Sequence, residues 1–150
     1  MMRKSLVAMC MAIVFSFCFG LSAYAQAPQE TLVSQYTEYY ADGSYAVVTV
    51  YENTNARAMW TSGEKSYNYY DGGLAWTLTV YGSFSYNNSS ATCTGASYGI
   101  SISNSAWSCE SGSSGTDGAT ANASATMVKD NGRRVNASVS LSCDGNGNLS

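Results

Sequence analysis

The tail LSCDGNGNLS, residues 141–150, sets Asp144, Asn146 and Asn148 at alternate positions, the spacing of the first oxygen ligands of a calcium loop. A helix-loop-helix calcium site opening at Asp144 needs glycine at its sixth position, where Leu149 stands, and a bidentate glutamate at its twelfth, past Ser150. The three residues are therefore expected to form a turn after a strand and to offer at most a weak surface site for a cation. A second cluster, KSYNYYDGG, puts Tyr67, Tyr69, Tyr70 and Asp71 close together, with Trp60 nearby. Sugar faces stack on such rings, and Asn68 and Asp71 accept hydroxyl protons, so this stretch is the candidate carbohydrate platform. The competing explanation is that tyrosine is a good strand residue whose ring packs while its hydroxyl stays wet. A hydrolase needs two carboxylates facing one cleft, and Glu38, Glu52, Glu64, Glu110 and Asp71 are the candidates. No motif pairs any two of them.

Histidine is absent from all 150 residues. Ser-His and Cys-His nucleophiles and histidine-ligated zinc are thereby excluded. The expectation is a non-enzymatic protein without a cofactor. The N-terminus carries Arg3 and Lys4, an apolar run from Leu6 to Leu21 and small residues at Ala23 and Ala25. This is the pattern of a signal peptide over residues 1–25, cleaved between Ala25 and Gln26, and its apolar run is short of the roughly 20 residues that span a bilayer. The mature chain, 26–150, keeps five basic residues against ten acidic ones. So acidic a chain has no electrostatic footprint for nucleic acid or for an anionic membrane. The predicted setting is secreted and extracellular, with a glycan or a surface protein as the partner to expect. The N-x-S triplets at Asn88, Asn122, Asn136 and Asn148 follow from the richness in Ser and Asn rather than from glycosylation.

The elements that must position these residues read as strands. Asp42-Gly43, Asp71-Gly72, Asp117-Gly118, Asn131-Gly132 and Asn146-Gly147 punctuate runs rich in Tyr, Val, Thr and Ser, and no window beyond the signal peptide shows a period of 3.6. The class is all-β: one antiparallel β-sandwich over 26–150, immunoglobulin-like in general shape, with an N-terminal hairpin at 30–56 and the main strands in 74–150. A two-residue loop at Asp42-Gly43 would set Tyr40 opposite Tyr45, and one at Asn131-Gly132 would set Val128 opposite Val135. The second register puts Val128, Thr126 and Ser124 on the face of Val135, Ala137, Val139, Leu141 and Cys143. In AWTLTVYGSFSY, Trp76, Leu78, Val80, Phe84 and Tyr86 share one face while Thr77, Thr79, Tyr81, Ser83 and Ser85 share the other. Tyr98, Ile100 and Ile102 share a face that Cys93 joins only if a bulge resets the strand near Gly95 or Gly99. The segment AWSCES is a short strand, and the tract at 109–118 is a flexible loop.

Three cysteines follow the cleavage point: Cys93, Cys109 and Cys143. One bridge and one leftover thiol are expected, with three pairings open. Cys143, at the end of an apolar stripe, favours Cys93 as its partner, leaving Cys109 unpaired or as the alternative partner.

The pattern W-x-L-x-V-x-G-x-F-x-Y at Trp76 to Tyr86, A-T-C-T at 91–94, Ala106-Trp107, the strand at 119–126 and the ending L-S-C-D-x-x-G-x-L-S together resemble an uncharacterised family of small secreted proteins from clostridial Firmicutes. Many of these also carry a Y-x-x-D-G-S-Y hairpin like Tyr39 to Tyr45. The resemblance covers most of the mature chain and implies a signal peptide, a β-sandwich and a paired Cys93 and Cys143, but no activity. The chain departs from it after Cys109, where Ser114-Gly115-Thr116-Asp117-Gly118 replaces a Lys-Ser-Gly-Asn run.

Overall fold

A computed structural model describes residues 30–53 and 59–150. The expected signal peptide and its cleavage point at Ala25 and Gln26 lie outside the described residues. Eight strands follow one another: β1 Glu30–Tyr39, β2 Tyr45–Asn53, β3 Trp60–Tyr70, β4 Leu74–Tyr86, β5 Ala91–Ile102, β6 Trp107–Asp117, β7 Thr120–Lys129 and β8 Arg134–Ser142. They form an antiparallel five-stranded sheet in the order β1-β2-β3-β4-β5 and a three-stranded sheet in the order β6-β7-β8. Every neighbour is the next strand in sequence, so the sandwich is an up-and-down meander and lacks the Greek-key crossing of immunoglobulin domains. Among the described residues no helix is long and apolar enough to cross a membrane.

One core joins the two sheets. From the larger sheet come Val48, Val50, Tyr69, Trp76, Leu78, Val80 and Phe84, and from the smaller Trp107, Met127, Val139 and Leu141. The alternation in β4 is as the sequence predicts, with Trp76, Leu78, Val80 and Phe84 buried and Tyr81, Ser83 and Ser85 turned away. The smaller sheet packs on β3, β4 and β5. The edge strand β1 is exposed along its whole length.

Three expectations are corrected, two by the same turn geometry. In the first hairpin Tyr40 N–H donates to Ser44 O (2.9 Å) and Gly43 N–H to Tyr40 O (3.1 Å), so the loop has three residues and Tyr39, not Tyr40, faces Tyr45. In the last hairpin Lys129 and Arg133 close the same loop, and Met127, not Val128, faces Val135. The cause is the glycine: Gly43 and Gly132 stand at φ +85° and +84° as the left-handed third residue of a type I turn with a bulge, not as the second of a two-residue turn. A slip of one residue moves a whole stripe, so Ala121, Ala123, Ala125 and Met127 fill the core in place of Ser124, Thr126 and Val128. Third, the tract at 109–118 is no loop but most of β6, paired residue by residue with β7. Its small side chains are what let it lie close: a Cβ on Gly112 would stand 2.7 Å from the ring of Tyr98 on β5. In β5 the pairing steps from Ser83 with Gly95 to Phe84 with Cys93, a bulge at Thr94 that turns Cys93 into the core.

Candidate functional site

The candidate sugar-binding residues separate according to the face of β3 they occupy. Tyr67 and Tyr69 point inward, where they are 7% and 1% exposed. Tyr69 stacks on Trp76, with centroids 4.8 Å apart, and meets Trp107 edge-on. The expectation that these two rings are exposed is corrected: β3 is an interior strand and this stripe lies under the smaller sheet. The Tyr67 hydroxyl bonds that of Tyr40, and burial, the larger cause, together with that bond pushes its pKa far above the ordinary tyrosine value. Asp71, on the β3–β4 turn, receives Lys129 Nζ at 2.8 Å and lies 3.7 Å from an Arg133 nitrogen. Arg133 also donates to Asp42 on the first hairpin and, at 2.6 Å, to the Tyr69 hydroxyl, which in turn donates to Ser44 Oγ at 3.0 Å. The tips of three hairpins are thus tied over an aromatic floor. The hydroxyl, carboxylate and cationic groups named here have partners inside the protein, so this end of the sandwich is a clamp; the indole N–H groups of Trp76 and Trp107 in its floor are buried without one.

The outer face of the larger sheet holds the other two candidates, Tyr70 and Trp60, and brings further aromatics beside them. At one end Tyr39, Tyr45 and Tyr70 cross β1, β2 and β3 side by side, with Tyr45 and Tyr70 stacked at 4.5 Å and Tyr39 82% exposed. Farther along, Tyr51, Glu64 and Tyr81 form a row across β2, β3 and β4, next to a row of Asn53, Ser62, Ser83 and Gly95. Between the two tyrosines lies a groove of about 470 Å³ floored by those small residues and by the main chain of Gly63 and Gly82. Tyr81 is 43% exposed, and Trp60, 53% exposed, continues the same face past Ser62. Glu30 and Glu64 overlook the groove; partial burial first, and then the charge of Glu30, raise the Glu64 carboxyl above its usual range.

The five candidate carboxylates are scattered. Glu110 is bound to Arg134 and Asp71 to Lys129, Glu38 lies on β1, and only Glu52 and Glu64 line the groove, alternating along neighbouring strands. In the tail the Asp144 carboxylate accepts the main-chain N–H groups of Asn146 and Asn148, at 2.8 and 2.9 Å, and Asn148 Nδ2 at 2.8 Å. These bonds, the Asn148 side chain foremost, lower its pKa. Among the described residues no three His, Cys, Asp or Glu side chains are gathered as a metal would need. Gly147, at φ +89°, closes the same three-residue loop as Gly43 and Gly132, and Leu149 pairs with Cys143 and is buried.

Cys93, Cys109 and Cys143 are free thiols in the structure. Cys93 and Cys143 are both buried, and their main-chain N–H groups donate to adjacent carbonyls of one turn, Gly118 O at 2.8 Å and Ala119 O at 3.0 Å. Burial, aided by the charge of Asp144, pushes the Cys143 thiol up to about 11. Comparison of the chain with protein-family models, curated proteins and solved structures returns no match.

Tyr51 and Tyr81 went unnoticed in sequence as site residues, although a signal was there. Tyr81 is the one large ring on the stripe of Thr77, Thr79, Ser83 and Ser85 opposite Trp76. An aromatic on the polar parity of an amphipathic strand has no core to enter.

Proposed function

We propose that the chain is a secreted, non-enzymatic binding module whose ligand is an extended carbohydrate laid along the outer face of the five-stranded sheet. The observation that carries this reading is the groove between Tyr51 and Tyr81, with Trp60 continuing it. Flat rings set beside small hydroxyl and amide side chains suit a sugar, whose ring faces are apolar and whose rim is polar. From Tyr45 to Tyr51 the face runs about 20 Å at roughly 3.4 Å per residue, long enough for an oligosaccharide rather than a single sugar.

A glycan and mucin array probed with residues 26–150 tests the proposal. Burying one sugar face on a ring contributes on the order of 1–2 kcal/mol. Tyr81→Ala and Trp60→Ala should therefore each weaken binding about five- to thirty-fold, without a fall in melting temperature, because both rings stand in solvent. An array without retained glycans, or binding that survives the double substitution, refutes it.

A further inference from the structure

β1 is ten residues long, forms the open edge of the larger sheet, and is exposed at every position. Exposed edges template strand addition, and proteins blunt them with lysine, proline or inward charge. This edge has neither lysine nor proline; its only charges are Glu30 and Glu38, and its one irregularity is the bulge at Val33. It shows apolar groups on both faces, with Leu32, Val33, Tyr36 and Tyr39 all exposed.

The hydrogen-bonding phase of the edge follows from the turn. Tyr40 and Ser44 are a bonded pair, and bonded and non-bonded pairs alternate along an antiparallel ladder. Glu38, Tyr36 and Ser34 therefore spend their main-chain groups on β2, while those of Gln35, Thr37 and Tyr39 point outward.

We infer that this edge receives an extended segment of a partner protein by strand addition, and that the segment is apolar in its middle and basic at both ends. The charges decide between occupants. The bulge at Val33 puts Glu38, paired with Ala46, and Glu30, paired with Asn53, on opposite faces of the sheet. The stretch between them matches seven residue steps of a straight strand, about 24 Å, with no cation on β1 between or beside them. A second copy of β1 would bring two more glutamates and no lysine to the pairing. A segment with lysine or arginine seven residues apart, and so on opposite faces, answers both carboxylates while its apolar centre covers Leu32, Val33 and Tyr36.

The probe is a labelled peptide of about eight residues, alternating valine and threonine with lysine at both ends and so on opposite faces, titrated against the mature protein. Its controls are the same peptide with terminal glutamates and one N-methylated on alternate amides. The lysine peptide should bind at least tenfold more tightly than either control and should slow amide exchange at Gln35, Thr37 and Tyr39. Thr37→Pro removes one outward N–H at an edge position where proline is tolerated. It should cut binding at least tenfold with the melting temperature held, and Glu38→Lys should shift preference toward the glutamate peptide whether or not the proline variant folds. Equal binding of the lysine and glutamate peptides overturns the inference. So does a dimer in sedimentation that Thr37→Pro abolishes, since the edge would then serve a second copy of the chain.

Discussion

Arg133→Ala tests how the two sheets are held at the hairpin end. The guanidinium rises from the β7–β8 turn, donates to the buried Tyr69 hydroxyl at 2.6 Å, and lies 6.0 Å above the Tyr69 ring and 5.9 Å above that of Trp107. A hydrogen bond from a charged group contributes about 1.5–3 kcal/mol, and the lower half of that range applies because the side chain is one-third exposed. Two cation–π contacts add about 0.5 kcal/mol each at such a site. The loss should be about 2–3 kcal/mol, or a fall in melting temperature of roughly 8–12 °C for a domain of this size. Arg133→Lys keeps the charge but not the planar fork, so it should lose about half as much. The control is Arg134→Ala one residue on. Its partner Glu110 is exposed, and about 0–0.5 kcal/mol is expected. Thermal and urea unfolding of the four proteins measures all of this. If Arg133→Ala and Arg134→Ala cost the same, the guanidinium is not seated on Tyr69, and the clamp is wrong.

Gly112→Ala should destabilise by about 1–3 kcal/mol through the Tyr98 ring, and Tyr98→Ala in the same chain should restore part of the loss; additive losses would mean that β6 does not lie against β5 there. The proposed Cys93–Cys143 bridge forms when both thiols give their hydrogens and electrons to an added oxidant such as diamide. It closes a loop of about fifty residues and should add roughly 4 kcal/mol, with a peptide map that finds Cys109 alone alkylated; a Cys109 crosslink would refute it. Asp144 is ionised in its hydrogen-bonded loop and its folded pKa lies below the reference 3.8, so its contribution is complete above that value and is lost as the pH falls from 3.8 through the folded value. Amide exchange at Asn146 and Asn148 should accelerate over that window, and Asp144→Asn should shift the onset; protection unchanged to lower pH would show that the carboxylate does not hold the turn.

The strands were legible where one chemistry sat on each face. In β4 the alternation of Trp76, Leu78, Val80 and Phe84 with Thr and Ser specifies both period and parity, whereas in β5 the sequence left open whether a bulge at Gly95 or Gly99 resets Cys93, and the structure sets one at Thr94. The hairpin registers were not legible from Asp42-Gly43 or Asn131-Gly132 alone. The same dipeptide closes a two-residue turn with both residues at positive φ, or a three-residue turn in which only the glycine is, and local sequence hardly distinguishes them. In β7 the deciding evidence was the chain on either side: a run of alternate alanines from Ala121 to Ala125 ending in Met127 fits a tightly packed second sheet, and polar Ser124 and Thr126 do not. The start of β6 was legible in AWSCES, but its continuation to Asp117 escaped notice because a run of serine and glycine has poor strand propensity by itself. Its pairing with β7 and the lack of bulk against Tyr98 override that propensity.

The candidate site was half legible for a related reason. Adjacent residues in β3 face opposite ways, so Tyr69 and Tyr70 could never share a platform, and period two alone assigns them different fates. Which one enters the core depends on where the smaller sheet packs, a long-range fact. Once β8 lies over β3 and β4, the parity of Tyr67, Tyr69, Trp76 and Leu78 must be largely apolar, and it is except at Lys65 and Thr61 of β3. The opposite parity then has to be polar enough for water. It is Asn68, Ser66, Thr77 and Thr79, except where Tyr39, Tyr45, Tyr51, Tyr70, Tyr81 and Trp60 interrupt it. Those six rings gain nothing from the core, and isolated exposed aromatics need no explanation, but six on one face with a groove between two of them do. A ligand with flat apolar faces and a polar rim would explain why the sheet keeps them there.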